Sequence, residues 1–396
     1  MSKFFSQAMA ITVMNLRNLP RRKTPAIVAL VGIAGVVAVL TGVLSIGEGF
    51  RKVLDHAGGT DIAIVLRGGN TDEFGSSLTQ EQVRIVADNA AIAHDVTGSL
   101  ASAELYVVAD VPMRHSPSPA NVPVRGVGLR GPELHKHFKI VTGRYFTPGT
   151  FEMVVGRSAA LEYAGFDVGN RIRLGSTDWT VVGVFEDGGS VSESEAWTDA
   201  SVLQGAYRRG TMFQSVRVKL TSEQALQSLR DALSADPRLN LNAFTEREFY
   251  EEISRPLTTL VRNVGAALAL LMGTGAIFGA LNTMYSAVSS RTREIATLCA
   301  VGFGAGPIVI SVLVEAMIVG LVGGVVGGLI GWLGFNGIRT ATYNPATLSQ
   351  VTFAFNVTPE LLEQGLAYAL VLAFIGGLLP SLRAARLPIP EGLREI

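Results

Sequence analysis

The sequence has a single cysteine, Cys299, and it lacks the short motifs that usually mark an enzyme. One cysteine excludes an internal disulfide framework and any metal site built from clustered cysteines. No Gly-x-x-x-x-Gly-Lys-Ser/Thr stretch and no Gly-Lys dipeptide occurs, so the chain is predicted not to hydrolyse ATP itself. Gly-x-Ser-x-Gly, the usual hydrolase elbow, is also absent. We therefore expect no catalytic residues in this chain.

A bound metal or cofactor is not expected either. His135 and His137 flank Lys136, but no cysteine or carboxylate stands beside them at a familiar ligand spacing. The prediction is that the chain holds no metal and no cofactor of its own.

Charge is scarce in this chain. Charged residues make up 17% of it, against about 25% in a typical soluble protein, whereas hydrophobic residues reach 48%. Lys and Arg total 33, and so do Asp and Glu, so no overall excess of charge suggests nucleic acid as a partner. The composition indicates contact with membrane lipids.

Long apolar runs are present. A helix needs about 20 apolar residues to cross the hydrocarbon core of a bilayer. Runs of that length predict transmembrane helices at residues 25–47, 257–286, 305–335 and 359–382. The alternative for the first run is a cleaved signal peptide, which we disfavour because such apolar regions usually span about 7 to 15 residues.

Basic residues near the helix ends predict the orientation, because cytoplasmic flanks are rich in Lys and Arg. The predicted cytoplasmic segments contain Lys3, Arg17, Arg21, Arg22, Lys23, Arg291, Arg293, Arg383, Arg386 and Arg394. Both termini are therefore expected in the cytoplasm, with the large domain on the opposite side of the membrane.

The predicted fold class is an α-helical membrane protein with four transmembrane helices in a 1+3 arrangement, plus an α+β extracytoplasmic domain with an inserted β-rich lobe. The predicted segments are an amphipathic cytoplasmic N-terminal segment (1–24), transmembrane helix 1 (25–47), the extracytoplasmic domain (48–256), transmembrane helix 2 (257–286), a cytoplasmic segment (287–304), transmembrane helix 3 (305–335), an extracytoplasmic loop (336–358), transmembrane helix 4 (359–382) and a cytoplasmic tail (383–396). In the first segment, Phe5, Met9, Thr12, Val13 and Leu16 fall on one helical face, which suggests a helix lying on the membrane surface.

Local patterns in the extracytoplasmic domain predict strands and helix starts. Residues 61–66 and 216–220 are typical of strands, and each is followed by Thr-x-x-Gln, beginning at Thr79 and Thr221, as in a capping box. Residues 152–156, 171–175 and 179–185 predict the β-rich lobe. Residues 111–123 contain four prolines, so an exposed loop is predicted there.

The third apolar run contains two rows of glycine and one carboxylate. Gly320, Gly324 and Gly328 repeat at four-residue spacing, as do Gly323, Gly327 and Gly331. Small residues at this spacing let helices approach closely, which predicts a dimer seam or a seam within the subunit; the alternative is a thin helix facing lipid. For Glu315 we favour a structural bond to a neighbouring helix or an arginine over a proton relay, which would need further buried titratable partners.

Several stretches of the sequence resemble permeases of the MacB/FtsX type. Residues 290–302 read S-R-T-R-E-I-A-T-L-C-A-V-G and are similar to the family signature R-x-R-E-I-x-x-L-x-A-x-G, with Cys299 where an arginine or lysine is frequent. Residues 380–394 resemble the C-terminal pattern P-x-x-R-A-A-R-x-x-P-x-x-A-L-R, with Gly392 in place of the common alanine and Ile389, between Pro388 and Pro390, at the second proline of the pattern. Residues 143–146, 154–156 and 181–184 match the outer patterns G-R-x-F, V-x-G and V-V-G-V.

The resemblance implies a location, a mechanism and partners. The expected location is a bacterial inner membrane, with the large domain in the periplasm. Such permeases form dimers with a second copy or a paralogue, bind a cytoplasmic ABC ATPase that carries ATP and magnesium, and in many cases transmit movement to the periplasm. The segment between helices 2 and 3 would then couple to the ATPase. Ile295 and Leu298 are expected to fill an apolar groove on it, with Arg291, Arg293 and Glu294 as polar rim contacts. The alternative is that these arginines only set the topology.

The expected function is the permease subunit of an ATP-driven exporter of an envelope or periplasmic substrate. Its further partners would be a periplasmic adaptor and an outer-membrane channel. The alternatives are a regulatory permease that controls an extracytoplasmic hydrolase, as FtsX-like members do, and a lipoprotein-releasing subunit. An outer domain of roughly 200 residues favours export over regulation, because the regulators usually have smaller outer domains.

Overall fold

The chain forms two compact units, each assembled from separate stretches of sequence. The computed structural model of the protein describes residues 2–18, 23–57, 59–114, 119–344 and 349–386. The helical unit comprises Met1–Gly49, Thr259–Ile338 and Phe355–Ile396, and the sheet unit comprises Phe50–Thr258 and Arg339–Ala354. Arg21, Arg22 and residues 387–396 of the predicted tail lie outside the described residues.

Long helices dominate one unit and short helices accompany the sheet in the other. The described helices are α1 (Ser2–Asn18), α2 (Lys23–Ala57), α3 (Gln80–Ala87), α4 (Arg157–Glu162), α5 (Ala200–Ala206), α6 (Ala225–Ala235), α7 (Glu246–Ser289), α8 (Thr292–Ala300), α9 (Ala305–Phe335) and α10 (Pro359–Ala385). Among the described residues, the stretches Ala26–Val53, Thr258–Ser289, Ala305–Phe335 and Pro359–Ala385 are long and apolar enough to span a bilayer. The prediction of four such helices is confirmed.

Two of these helices extend beyond the apolar runs predicted from the sequence, 25–47 and 257–286. Helix α2 continues to Ala57, and α7 begins at Glu246, ahead of the predicted start at residue 257. The α7 start is fixed by a reciprocal cap, in which the Thr245 N–H donates to Glu248 at 2.9 Å and the Glu248 N–H donates to the Thr245 hydroxyl at 3.0 Å. Pro256, expected to end the outer domain, lies inside α7. Hydropathy marks the lipid-length run but not its polar extension.

The described strands form one large mixed sheet and two small hairpins. They are β1 (Ile62–Arg67), β2 (His94–Asp95), β3 (Gly98–Ser99), β4 (Ala101–Pro112), β5 (Pro119–Val127), β6 (Phe138–Gly143), β7 (Glu152–Gly156), β8 (Arg171–Leu174), β9 (Thr177–Asp187), β10 (Ala196–Asp199), β11 (Ser215–Lys219), β12 (Leu241–Thr245), β13 (Arg339–Asn344) and β14 (Ser349–Ala354). The large sheet has the order β12-β1-β11-β4-β5-β10-β7-β9-β6, and β8 also pairs with β9.

Strand β4 joins the two halves of this sheet. Its first residues pair with β11 and the remainder pairs with β5, both antiparallel. One apolar core lies under β1, β11 and β12 with helices α3 and α6, and another lies under β4, β5, β7, β9 and β10 with α4 and α5. The predicted β-rich lobe therefore has a core of its own, but its strands continue the same sheet.

The exposed loop predicted at residues 111–123 is wrong for the described part of that range. Val111 and Val122 are fully buried, and β4 pairs with β5 as far as Pro112 opposite Pro119. The prolines fit because two of them stand at the strand ends, and Pro123 precedes Val124, where pairing with β10 begins. Residues 115–118 lie outside the described residues.

Only one of the two predicted capping boxes forms. The Gln82 N–H donates to the Thr79 hydroxyl at 3.3 Å, and the Thr79 N–H donates to the Gln82 side chain at 3.0 Å. Thr221 caps no helix, because its N–H and its hydroxyl both donate to the Ala91 carbonyl and α6 begins only at Ala225. That bond extends the contact between the end of β11 and the segment before β2.

Charged side chains are buried at the centre of the large sheet. This buried ion network consists of Arg125, Arg217, Glu73, Glu104, Glu195 and Glu246. The Arg125 guanidinium donates to Glu73, Glu104 and Glu195 at 2.7–2.8 Å. Burial would raise the pKa of Glu73, but the charge and hydrogen bonds of Arg125 hold that pKa below its usual value. Glu73 is therefore ionised at neutral pH.

The predicted loop at residues 336–358 contains the hairpin β13–β14, which belongs to the sheet unit. Strand β14 packs against β5 and against the 3₁₀ turn Val191–Ser194. Phe353 is buried, with its ring centroid 5.6 Å from that of Phe50. The connection between α9 and α10 is thus part of the folded sheet unit.

Candidate functional site

The predicted coupling segment forms a short helix, α8, in the helical unit. It starts directly after α7 and ends where Gly302 adopts a φ of +98°. In that conformation, which glycine adopts without strain, the Gly302 N–H donates to the Cys299 carbonyl and the Phe303 N–H donates to the Leu298 carbonyl. The chain then turns into α9 at Ala305. The segment is therefore an ordered element between two long helices.

Arg291 and Glu315 form a buried ion pair at this end of the helical unit. Arg291 Nη1 lies 2.7 Å from Glu315 Oε2, and Nη2 lies 2.8 Å from Oε1. Both side chains are 6% exposed. Such a two-bond arrangement neutralises both groups and fixes their geometry. The expected bond of Glu315 to an arginine is present, and it fastens the start of α8 to α9.

The residues predicted to contact the ATPase divide into internal and outward-facing groups. Ile295 is 6% exposed and packs inside the helical unit, as does Arg291, so neither is placed at the surface contact expected from the sequence. Leu298 is half-buried against the same core. Arg293 and Glu294 lie on the exposed face of α8. The alternation follows the helical period, in which residues three and four apart share a face.

The core beneath α8 brings five helices together. The apolar residues of this cluster are Ile11 from α1, Met284 and Val288 from α7, Ile295 from α8, Ile308, Val312 and Ala316 from α9, and Ala384 from α10. Helix α8 therefore shares one apolar core with four other helices.

Helix α1 is part of the same end of the unit. Asn15 is buried and donates to the Ser311 hydroxyl of α9 at 2.7 Å. On its other side Phe5, Met9 and Val13 of the predicted membrane-surface face are exposed, whereas Thr12 is half-buried and its hydroxyl donates to the Ala8 carbonyl at 2.8 Å. The side chain of Leu16 lies outside the described residues.

The two glycine rows of α9 contact two different helices of the same chain. A Cβ added at Gly324 would lie 2.9 Å from Ala369 Cβ of α10, and one added at Gly327 would lie 2.5 Å from the Ala34 carbonyl of α2. Gly320 and Gly328 share the α10 side, whereas Gly323 and Gly331 share the α2 side. Both rows therefore lie at close contacts within the chain.

A cavity of about 280 Å³ adjoins the Arg291–Glu315 pair. Its walls come from α2, α7, α9 and α10, and they are mostly small and apolar, for example Ala29, Ala280 and Gly377. Among the described residues no group of three or more His, Cys, Asp or Glu is arranged to hold a metal ion. His135 Nδ1 lies 2.8 Å from Asp187 Oδ2 in the sheet unit, so that nitrogen is engaged in an ion pair or hydrogen bond.

Sequence reasoning missed two features of this site. Val301, the residue after α8, is 74% exposed and extends the outward face of Arg293 and Glu294. Its exposure could not be inferred because an isolated valine in an apolar region carries no pattern of its own. The Asn15–Ser311 bond was also missed, since it joins residues nearly 300 positions apart.

Comparisons with known families divide the sequence in a similar way. The family described as "MacB-like periplasmic core domain" matches residues 26–236. The family described as "FtsX-like permease C-terminal" matches residues 266–389. Together they cover most of the chain.

Curated relatives are similar over most of this chain but over only part of their own. The macrolide export ATP-binding/permease protein MacB of Nitrosomonas europaea is 26% identical over 315 residues, covering 72% of this chain and 46% of the relative. That of Pasteurella multocida is 24% identical over 325 residues, covering 78% and 49%. The chain spans about half the length of these curated relatives. The crystal structure of the periplasmic region of MacB from Actinobacillus actinomycetemcomitans is similar with a TM-score of 0.38 at 14% identity, covering 50% of this chain and 94% of that one.

Proposed function

Because the chain belongs to the MacB/FtsX family of ABC transporter permeases, we propose that it is the permease of an ATP-driven exporter that transmits movement to its sheet unit. In this proposal a cytoplasmic ABC ATPase supplies the energy, and a second permease chain completes the transporter. The substrate belongs to the cell envelope or the periplasm. The curated relatives, described as ATP-binding/permease proteins of macrolide export, support the link to ATP.

The observation that carries this proposal is the attachment of α8 to the long helices. Arg291 fastens the start of α8 to Glu315 of α9, and Ile295 packs in the cluster shared by five helices. A partner that displaces α8 would therefore move α9 as well, because a buried ion pair resists separation. This arrangement favours a role for α8 in transmitting movement from an ATPase to the long helices over a role that only sets the topology.

The outward face of α8 is the proposed docking surface for the ATPase. It presents Arg293, Glu294 and Thr297, followed by the exposed Val301. An exposed apolar residue among polar neighbours has the character of an interface anchor with a charged rim. Leu298, half-buried behind this face, supports it from within.

The proposed orientation puts both termini and α8 in the cytoplasm of a cell with a periplasm, and the large sheet outside. The basic residues around α8 and after α10 support it, as does the match to a periplasmic core domain. The proposed site of the protein is thus the inner membrane.

We expect that this chain, purified away from partners, hydrolyses no ATP above background, because it lacks a phosphate-binding loop. When it is isolated by an affinity tag from its native membranes in mild detergent, ATP hydrolysis should appear together with a co-purifying ATP-binding protein. The measurement is ATP turnover before and after a wash that strips the partner. Turnover that stays with the stripped chain and is lost on its mutation would contradict the proposal.

Val301→Ser should weaken the association with the ATPase about tenfold or more, since a buried anchor at an interface can contribute about 2 kcal/mol. The matched control is Leu333→Ser on the distal part of α9, because Leu333 is also 74% exposed. The amount of co-purified ATPase per permease reports the binding. Arg293→Ala should have a smaller effect than either Val301→Ser or Leu298→Ala. Equal recovery of the ATPase with Val301→Ser and with Leu333→Ser would place the docking surface elsewhere.

A further inference from the structure

Glu246 connects three parts of the sheet unit through one carboxylate. It is the first residue of α7 and is only 5% exposed. One of its oxygens bonds the guanidinium of Arg217 on β11, and the other accepts the backbone N–H of Gly59 at 3.1 Å. Gly59 follows shortly after α2 ends at Ala57. A single side chain therefore ties the start of α7 and the segment after α2 to the sheet.

Arg217 is held firmly on its own strand. It is 1% exposed, and its neighbours across the sheet are Ile64 of β1 and Ser102 of β4. Its Nε lies 3.5 Å from Glu104, which in turn accepts a hydrogen bond from Arg125 at 2.8 Å. The bond of Glu246 thus ends at the centre of the sheet and not at an edge strand.

Glu246 is not needed to neutralise the guanidinium groups of the buried ion network. Without Glu246 the buried ion network has three carboxylates and two guanidinium groups, so negative charge is already in excess. Neutralising Glu246 reduces that excess, whereas neutralising Arg217 would increase it. Burying an additional carboxylate is unfavourable unless its bonds compensate, so the presence of Glu246 points to its position at the helix start.

We propose that the Glu246–Arg217 pair is the joint that fixes helix α7 to the centre of the large sheet, so that displacement of α7 moves the sheet with it. This inference rests on the proposed function, in which movement of the long helices reaches the sheet unit. Glu246 is then a positioning residue for that movement. The same carboxylate holds Gly59, so the joint keeps the ends of α2 and α7 at a fixed separation within the sheet unit.

The neighbouring Glu248 provides a matched control. It lies in the same first turn of α7, and it pairs with Arg230 of α6 at 2.7 Å. Its side chain is 44% exposed and lies outside the buried ion network. Glutamine can replace glutamate in the capping box that Glu248 forms with Thr245. Glu248→Gln therefore changes the same charge in the same turn without touching the sheet centre.

The test uses the full chain with its co-purifying ATPase in lipid nanodiscs and compares Glu246→Gln with Glu248→Gln. Hydrogen exchange is measured at residues 250–255 of α7 and at β1 and β11, first at rest and then with ATP. For Glu246→Gln we expect at least fivefold faster resting exchange in α7, unchanged protection of β4 and β5, and loss of more than half of the ATP-dependent change in β1 and β11. Glu248→Gln should match the wild type in all three.

Three results would overturn the joint. These are wild-type resting exchange of α7 in Glu246→Gln, a wild-type response of β1 and β11 to ATP, and unfolding of the sheet in that variant, seen as exposure of Trp179 and Trp197. A wild-type protein in which ATP changes no exchange in the sheet would instead refute the proposed function. The resting comparison of α7 would still decide whether Glu246 fixes the helix.

Discussion

Glu315→Ala should lower the unfolding temperature of the helical unit by on the order of 10 °C. The substitution leaves the Arg291 guanidinium buried without its carboxylate, and loss of one partner of a buried pair costs about 3–5 kcal/mol. Cys299, the only cysteine in the sequence, is half-buried against the apolar core beneath α8. Its exposure therefore reports the unfolding of that core. Its reaction with a thiol-reactive fluorescent dye during heating gives the unfolding temperature.

The double variant Arg291→Met with Glu315→Leu separates charge from packing. Replacing both members of a buried pair by apolar residues of similar volume is often neutral or stabilising, so most of the lost stability should return. In a Trp332→Phe background, which removes the tryptophan of α9, fluorescence of Trp179 and Trp197, both buried in the sheet unit, should be unaffected in either variant. Identical thiol reactivity of Glu315→Ala and wild type at every temperature would mean that the pair contributes nothing to the unit.

Gly327→Leu should prevent the helical unit from packing correctly and sharply reduce the yield of monodisperse protein. Its Cβ would lie 2.5 Å from the Ala34 carbonyl and 2.8 Å from Val37 Cβ, so α2 and α9 would have to separate. Overpacking a tight contact costs about 1–3 kcal/mol or more, and a leucine adds several atoms against a backbone oxygen that cannot rotate away. Size-exclusion profiles of fluorescently tagged protein measure the yield.

The same helix offers a control and an intermediate case. Gly334→Leu places a side chain where nothing lies within 4 Å of the added Cβ, and it should behave like the wild type. Gly324→Leu meets side-chain atoms of Ala369 and Leu366 at 2.9 Å, so its effect should fall between the two. A profile for Gly327→Leu that matches Gly334→Leu would show that the α2–α9 contact tolerates separation.

Hydropathy was sufficient to find the apolar helices but not their ends. The apolar runs are long enough to be recognised from hydropathy alone. The start of α7 at Glu246 is polar, and it depends on the cap between Thr245 and Glu248. Proline content misled the interpretation of residues 111–123, because strand pairing tolerates proline wherever no ladder bond is required. Local composition cannot show which strand will pair with residues 111–123.

The residues of the candidate site show a similar division. Spacing alone identified the glycine rows as close contacts, but the partner helices α2 and α10 depend on tertiary packing. Arg291 and Arg293 are equivalent under the positive-inside rule. What distinguishes the buried Arg291 from the exposed Arg293 is the ion pair with Glu315, 24 residues after Arg291. The sequence could suggest that Glu315 needs a partner, but not which one.

The discontinuous sheet unit has a consequence for the order of events during synthesis. Phe50 reaches its buried neighbour Phe353 only after residues 259–354 have left the ribosome, which takes roughly 5 to 20 s at typical elongation rates. Until then the surface of β5 that receives β14 stays uncovered. The sheet unit is therefore completed late, after the glycine-rich helix α9 has been made, and a nascent chain that stalls in α9 would leave this face open to chaperones and proteases.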